Sequence, residues 1–195
     1  MIDLVIENIG MLVTAKSMPW RAGDEVEVLE NVAIEIKNGL IARIKEGTSG
    51  SEAKQKIDAE GKLVTSALYD AHTHLLFYGE RSWELGLKLS GVKYDEILRR
   101  GGGIYSTIQA TEKASEEDLR DALLGRLSQA AANGAAGVEV KTGYAGSPEG
   151  EKRLLRIIKE TKGEISTKST LLMHVPPKGY DRRSYLMGMI ENLKE

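Results

Sequence analysis

The hydrophobic pattern changes its period near residue 65, and that change limits the possible folds more than any other feature of the chain. Before it, apolar residues fall in short, strand-like runs: Leu4-Val5-Ile6, Val26-Glu27-Val28-Leu29 and Val32-Ala33-Ile34-Glu35-Ile36. The last run alternates apolar with charged residues, as a half-buried strand should, because successive strand side chains leave opposite faces. Asn38-Gly39 follows, a dipeptide suited to a type I′ hairpin turn, and Leu40-Ile41-Ala42-Arg43-Ile44 reads as the returning antiparallel strand. Gly47 to Glu52 is a small polar loop. Residues 1–65 are therefore expected to form a small antiparallel β module, an incomplete sandwich without a histidine or a catalytic cluster.

After residue 65 the pattern becomes strand then helix, repeated. Ser115 and Asp118 have the spacing of a capping box, and Leu119, Ala122, Leu123, Leu127, Ala130 and Ala131 then share one helical face. Asn133-Gly134 stops that helix, and Gly137-Val138-Glu139-Val140 reads as a short strand. Pro148-Glu149 opens a second amphipathic helix with Leu154, Leu155 and Ile158 on its stripe. Thr170-Leu171-Leu172-Met173 reads as the next strand, ending at His174, and a helix is expected from Arg182 to Leu193. A further strand is considered within Gly103 to Ile108.

Alternating strands and helices of this length argue for parallel βαβ units, whose functional residues gather beyond the carboxyl ends of the strands. Three polar segments fall at such ends: His72-Thr73-His74, Lys141-Thr142-Gly143-Tyr144 and His174-Val175-Pro176-Pro177. A complete (β/α)8 barrel needs eight strands and about 250 residues. Residues 66–195 are thus expected to be the first units of such a barrel, the front part of a larger enzyme.

His72 and His74 stand two apart, so in an extended strand both imidazoles face the same way and can serve one ion. With 0 cysteines in the chain, a metal must be held by nitrogen and oxygen. Two ligands are fewer than the three a catalytic ion normally takes. On spacing alone, chance or surface decoration accounts for the pair equally well. The net charge of −2 lacks the basic excess of a nucleic-acid binder. No apolar run approaches the roughly 18 residues of a membrane span. Met1-Ile2-Asp3 lacks a basic signal-peptide start, so a cytoplasmic location is expected.

Leu68-Tyr69-Asp70-Ala71-His72-Thr73-His74-Leu75, behind a small β-rich module, resembles the opening of the metal-dependent amidohydrolases. Four further segments narrow the resemblance: Phe77-Tyr78-Gly79-Glu80-Arg81, Gly101 to Thr107, Val138 to Tyr144, and His174 to Pro177. In this order they resemble the imidazolonepropionase family, hydrolases of histidine degradation. The chain departs from the family pattern at Ser66-Ala67, where Pro-Gly is frequent, at Ala71, where proline is common, and at Leu172-Met173, where small residues are usual.

The resemblance implies roles for particular residues. His72 and His74 would be ligands of a zinc or iron ion. Arg81, Tyr144 and His174 match positions that contact the substrate, 4-imidazolone-5-propanoate, and a planar guanidinium at Arg81 suits its carboxylate. A metal-activated water would open the cyclic amide to give N-formimidoyl-L-glutamate. The remaining ligands, a histidine and an aspartate, and the general base are expected on later strands beyond Glu195. The chain alone is accordingly expected to be inactive, and to self-associate or aggregate through open strand edges. Two alternatives stay open: another cyclic amidase or deaminase, and a non-catalytic metal-binding or scaffold derivative.

The other polar features have two readings each. Gly101-Gly102-Gly103 can be a nest of amides for a carboxylate or a plain turn. Glu139 and Lys141 share a strand face, as an ion pair or as catalytic groups. Tyr144 and His174 also admit ordinary structural roles, and Trp20 and Trp83 are read as core or interface residues.

Overall fold

The computed structural model describes residues 1–16, 26–173, 176 and 179–193, and the chain divides into two compact units, Met1–Ser66 and Ala67–Glu195. Trp20 and His174 lie outside the described residues. The first unit is a sheet of five strands, β1 (Ile2–Ala15), β2 (Val26–Lys37), β3 (Leu40–Glu46), β4 (Ala53–Asp58) and β5 (Leu63–Thr65), in the order β3-β2-β1-β4 with β5 also on β1. Asn38 and Gly39 turn the β2–β3 hairpin with φ of 53° and 74°, the paired positive values of a type I′ turn.

Two runs read as separate strands, 26–29 and 32–36, are one strand, β2, paired antiparallel with β1 from Leu4↔Ile36 to Ala15↔Val26. β4 and β5 add to β1 in parallel, so the sheet is antiparallel across β1, β2 and β3 and mixed as a whole. A turn separates these two parallel segments and lies against β1, where the Gly10 amide donates to the Lys62 carbonyl at 3.1 Å. A Cβ on Gly10 would stand 2.0 Å from the Gly61 carbonyl oxygen, so only glycine admits that approach. Ile9, Leu12, Val32 and Ile34 form the buried core of this unit.

The second unit begins with β6 (Leu68–Thr73) and continues through α1 (Trp83–Leu89), α2 (Tyr94–Arg99), α3 (Ile104–Lys113) and α4 (Glu116–Ala132). Then follow β7 (Ala135–Lys141), α5 (Pro148–Glu160), β8 (Ser166–Thr170) and α6 (Arg182–Glu191). The sheet order is β6-β7-β8 and both pairings are parallel, as the alternating pattern requires. The capping box opens α4: the Ser115 hydroxyl accepts from the Asp118 amide at 3.0 Å, and Asp118 accepts in return from the Ser115 amide. Leu119, Leu123 and Leu127, one helical turn apart, are buried with Val138, Val140, Leu154, Ile157 and Ile158 in one core.

Two strand expectations fail. The apolar run 171–173 lies beyond β8, whose residues are Ser166-Thr167-Lys168-Ser169-Thr170. β-Branched threonine fits a pleated surface, and the ladder to β7 closes at Lys141↔Thr170. Thereafter the Leu172 amide donates to the Thr142 hydroxyl at 3.1 Å, so a side chain carries the pairing past the strand end. Ile104 to Ile108 is the start of helix α3, entered from Gly103 at a φ of 77°.

The α4 packing gives a measurable contrast. Leu123→Ala should destabilise the chain by about 2–5 kcal/mol through lost burial and a residual cavity. Leu124→Ala, at a side chain 37% exposed, should cost only about 0.5 kcal/mol. Urea melts followed by far-UV circular dichroism check both; equal losses would show that the buried stripe is misassigned.

Candidate active site

β6 ends at Thr73, whose hydroxyl donates to the Glu139 carbonyl of β7 at 2.7 Å. The register between β6 and β7 shifts between Asp70 and Thr73, leaving one more residue on β6 than on β7. Bulges of this kind re-aim side chains at strand ends. The His72 amide is accepted by the Asp70 carboxylate at 3.1 Å. His72 and His74 nevertheless come together, with ring centroids 5.6 Å apart and planes at 52°. His72 is exposed and His74 half-buried.

The chain leaving β7 passes directly over His74. Gly143 has a φ of 136°, and a Cβ placed there would lie 3.5 Å from the His74 Cε1 atom. Tyr144 then meets the His74 ring edge to face, 5.4 Å between centroids, and meets Phe77 similarly at 5.8 Å. Behind Phe77 stands Arg126 of α4, its guanidinium carbon 3.7 Å from the ring centroid. Arg126 Nη1 donates to the carbonyls of Leu75 at 2.7 Å and Phe77 at 2.8 Å, pinning the turn that follows His74. The Tyr78 amide is held by the Thr111 hydroxyl of α3 at 3.0 Å.

A cavity of about 310 Å³ opens beside these groups, walled by Phe77, Glu80, Arg81, Thr107, Arg126 and Tyr144. A larger cavity of about 530 Å³, lined by Leu98, Tyr105, Gln109 and Glu112 among others, includes neither Arg81 nor Tyr144, and neither His72 nor His74 lines either cavity. The smaller one is therefore the one adjoining the predicted chemistry. Arg81 and Tyr144, 63 positions apart in sequence, share its wall, whereas His174 lies outside the described residues.

The glycine triplet serves a carboxylate of the protein's own. Glu84, only 1% exposed, accepts from the Gly103 amide at 2.7 Å, with Lys88 at 3.1 Å and Arg81 Nη1 at 3.8 Å. A Cβ on Gly102 would stand 2.8 Å from that carboxylate, so a side chain there would push it away. Burial pushes the Glu84 carboxyl up, yet the Gly103 amide, Lys88 and Arg81 together hold it below its ordinary value. The second open question resolves similarly: Lys141 Nζ meets the Glu139 carboxylate in an ion pair, and the Thr170 hydroxyl donates to the same oxygen at 2.7 Å.

Arg126, Thr107 and Glu84 were missed at the level of sequence. Arg126 had a readable signal, since it lies seven positions after Leu119 and three after Leu123, on the buried stripe of an otherwise apolar helix face. Glu84 had none, because its partners become neighbours only when α1 and the entry to α3 are folded together.

Imidazole nitrogens suit zinc or divalent iron. His72 and His74 fit the start of such a site, while among the described residues no group of three or more His, Asp or Glu side chains converges to hold an ion. Among the same residues, no helix is long and apolar enough to cross a membrane.

No family model matches the chain. Among solved structures it is similar to a triazine hydrolase from Arthrobacter aurescens, with a TM-score of 0.54 at 13% identity over 98% of this chain and 50% of that one. It is also similar to a Xaa-Pro dipeptidase, with a TM-score of 0.52 at 18% identity over 86% of this chain and 32% of that one. These likenesses, with the parallel β6-β7-β8 sheet, define the class by fold alone: the first units of a (β/α)8 barrel, preceded in sequence by a small sheet module.

The sequence comparisons reach further. The chain is 41% identical to an imidazolonepropionase from Pyrobaculum arsenaticum, over 96% of this chain and 48% of the relative. It is 38% identical to one from Thermoplasma volcanium (92% and 45%) and 39% identical to one from Bacillus mycoides (100% and 49%). Over most of its length the chain thus has curated homologues that are imidazolonepropionases, at 38–41% identity, and it spans about half the length of these relatives.

Glu84 provides a pH test. Its carboxyl is held below the ordinary value, so the stability it contributes is present above the ordinary carboxylate range and is lost as pH falls through the lowered value. Urea midpoints measured from about pH 7 down to about pH 3 should fall on the acid side, and Glu84→Gln should flatten part of that fall. An unchanged acid limb in the variant would show that Glu84 is not coupled to folding.

Proposed function

We propose that the second unit carries the opening half of an imidazolonepropionase site, for hydrolysis of 4-imidazolone-5-propanoate to N-formimidoyl-L-glutamate. The observation that carries this reading is the contact of Tyr144 with both sides of the site: its ring touches His74, and it shares a cavity wall with Arg81. A metal-ligand candidate and two substrate-contact candidates from separate segments thereby meet in one place.

In this reading His72 and His74 hold a divalent ion, zinc or iron. When bound, such an ion supplies a low-pKa water and polarises a carbonyl. The protein's own groups do the rest of the positioning. Arg81 takes the propionate carboxylate through its planar fork, and the buried Glu84 on its other side restrains the guanidinium. Tyr144 packs between His74 and Phe77, so its ring fixes the distance between the metal side and the binding side. The His174 imidazole is a third substrate contact in the same proposal.

The proposal is tested with the complete protein that carries this sequence. It should convert imidazolone propanoate to N-formimidoyl-glutamate, identified by mass spectrometry. Arg81→Met should raise KM about tenfold or more with a smaller change in kcat, whereas His72→Ala and His74→Ala should abolish turnover together with bound metal. Turnover of a different cyclic amide or an aminated heterocycle in preference would favour the other amidohydrolase reading. Metal retained without turnover of any such substrate would favour the non-catalytic one.

Self-association belongs to the same proposal. Leu68 is 63% and Tyr69 51% exposed on β6, a strand with a partner on one side only among the described residues. An open strand bearing apolar side chains invites pairing. The isolated chain should scatter light as an oligomer at micromolar concentration, and a stable monomer would count against this.

A further inference from the structure

The cavity beside Tyr144 is walled in part by a cation that no carboxylate among the described residues neutralises. Arg126 rises from the buried stripe of α4, and its Nη1 atom is committed to the carbonyls of Leu75 and Phe77. Its Nε and Nη2 atoms have no protein acceptor among the described residues, while the side chain forms part of the cavity wall. No carboxylate reaches it: burial is the one influence acting on its guanidinium, and burial pushes its pKa down. Arg81 is compensated by Glu84, and Arg153 and Arg156 by Glu116. A partly buried cation without a counter-ion is costly. Carbonyl dipoles and the Phe77 face offset part of that cost and leave the net charge in place.

Two guanidiniums therefore face one cavity of about 310 Å³, small enough for a single compact ligand. Glu80 also lies on this wall, but its side chain is exposed and water screens it. We propose that Arg126 is a specificity-determining residue, a second guanidinium that with Arg81 makes this cavity select a ligand bearing a carboxylate. The inference rests on the reading of the cavity as the substrate site, and it adds a residue to that site together with the property the residue controls.

The competing role is purely mechanical, with Arg126 holding the 75–77 turn and nothing more. Calorimetric titration of this chain with 3-(imidazol-4-yl)propionate and with its primary amide separates the two, because the probes share shape and differ in charge. The wild-type chain should prefer the carboxylate by about tenfold or more. Arg126→Gln should reduce that preference to within about twofold, and Arg126→Lys, which keeps the charge but lacks the planar guanidinium, should retain most of it. If both probes weaken in equal proportion in Arg126→Gln, the role is mechanical and the inference is overturned.

Failure of the underlying reading looks different. A wild-type chain that binds neither probe, or binds them equally, overturns the substrate-site assignment and this inference with it. Loss of the preference in Arg81→Met but not in Arg126→Gln overturns this inference alone. Should Arg126→Gln lose its far-UV circular dichroism, Arg126→Lys decides: weakened binding with the preference intact supports the charge role, and a lost preference refutes it.

Discussion

The parallel pairing of β6 on β7 is the constraint on which every placement in the second unit depends. It sets the Thr73 hydroxyl against the Glu139 carbonyl, so the strand that carries His72 and leads into His74 stops where β7 is about to release Tyr144. The extra residue between Asp70 and Thr73 belongs to the same constraint. It removes the His72 amide from the ladder and gives it to Asp70, which frees the end of β6 to bend without leaving that donor unpaired. Behind the sheet, Leu119, Leu123 and Leu127 pack α4 onto β7 and deliver Arg126 to the turn beyond His74.

Charge placement follows from that packing. Glu84 is buried and fully engaged, with an amide, a lysine and an arginine around it. Arg126 is partly buried and satisfied only by dipoles. Both residues act at the cavity, one through Arg81 and the other on the wall itself. In the proposed reading, the asymmetry between a compensated anion and a cation satisfied only by dipoles favours an anionic ligand over a neutral one beside Tyr144, the exposed Glu80 on the same wall being screened by water.

Much of this was legible from periodicity. The type I′ turn at Asn38-Gly39, the capping box at Ser115 and the parallel alternation of strands and helices could be read because each is a local rule: the chemistry that makes the element lies within a few residues. The failures share the opposite property. β8 is built from serine, threonine and lysine, and its ends are set by β7, so the apolar run that follows it misled. β4 and β5 lie parallel to β1 through a close approach at Gly10 that no local pattern announces. In the site, the histidine pair was visible from spacing and Arg81 and Tyr144 from family resemblance, whereas Glu84 depends on contacts made only after folding.

The groups proposed to bind and the groups proposed to hold metal differ in how completely this chain supplies them. The binding wall draws on the turn after β6, on α3, on α4 and on the segment after β7, and every one of these lies within Ala67–Glu195. Its parts are fixed by a shared core and by hydrogen bonds donated by Arg126 and Gly103 and accepted by Thr111, none of which needs a metal. The metal side has two imidazoles and, among the described residues, no third donor. In the proposed reading, recognition of the carboxylate is thus a property of groups already gathered in the second unit, while activation of water needs more donors than the two imidazoles. Charge selection by Arg81 and Arg126 would then be established before catalysis is complete, and the two can be measured separately.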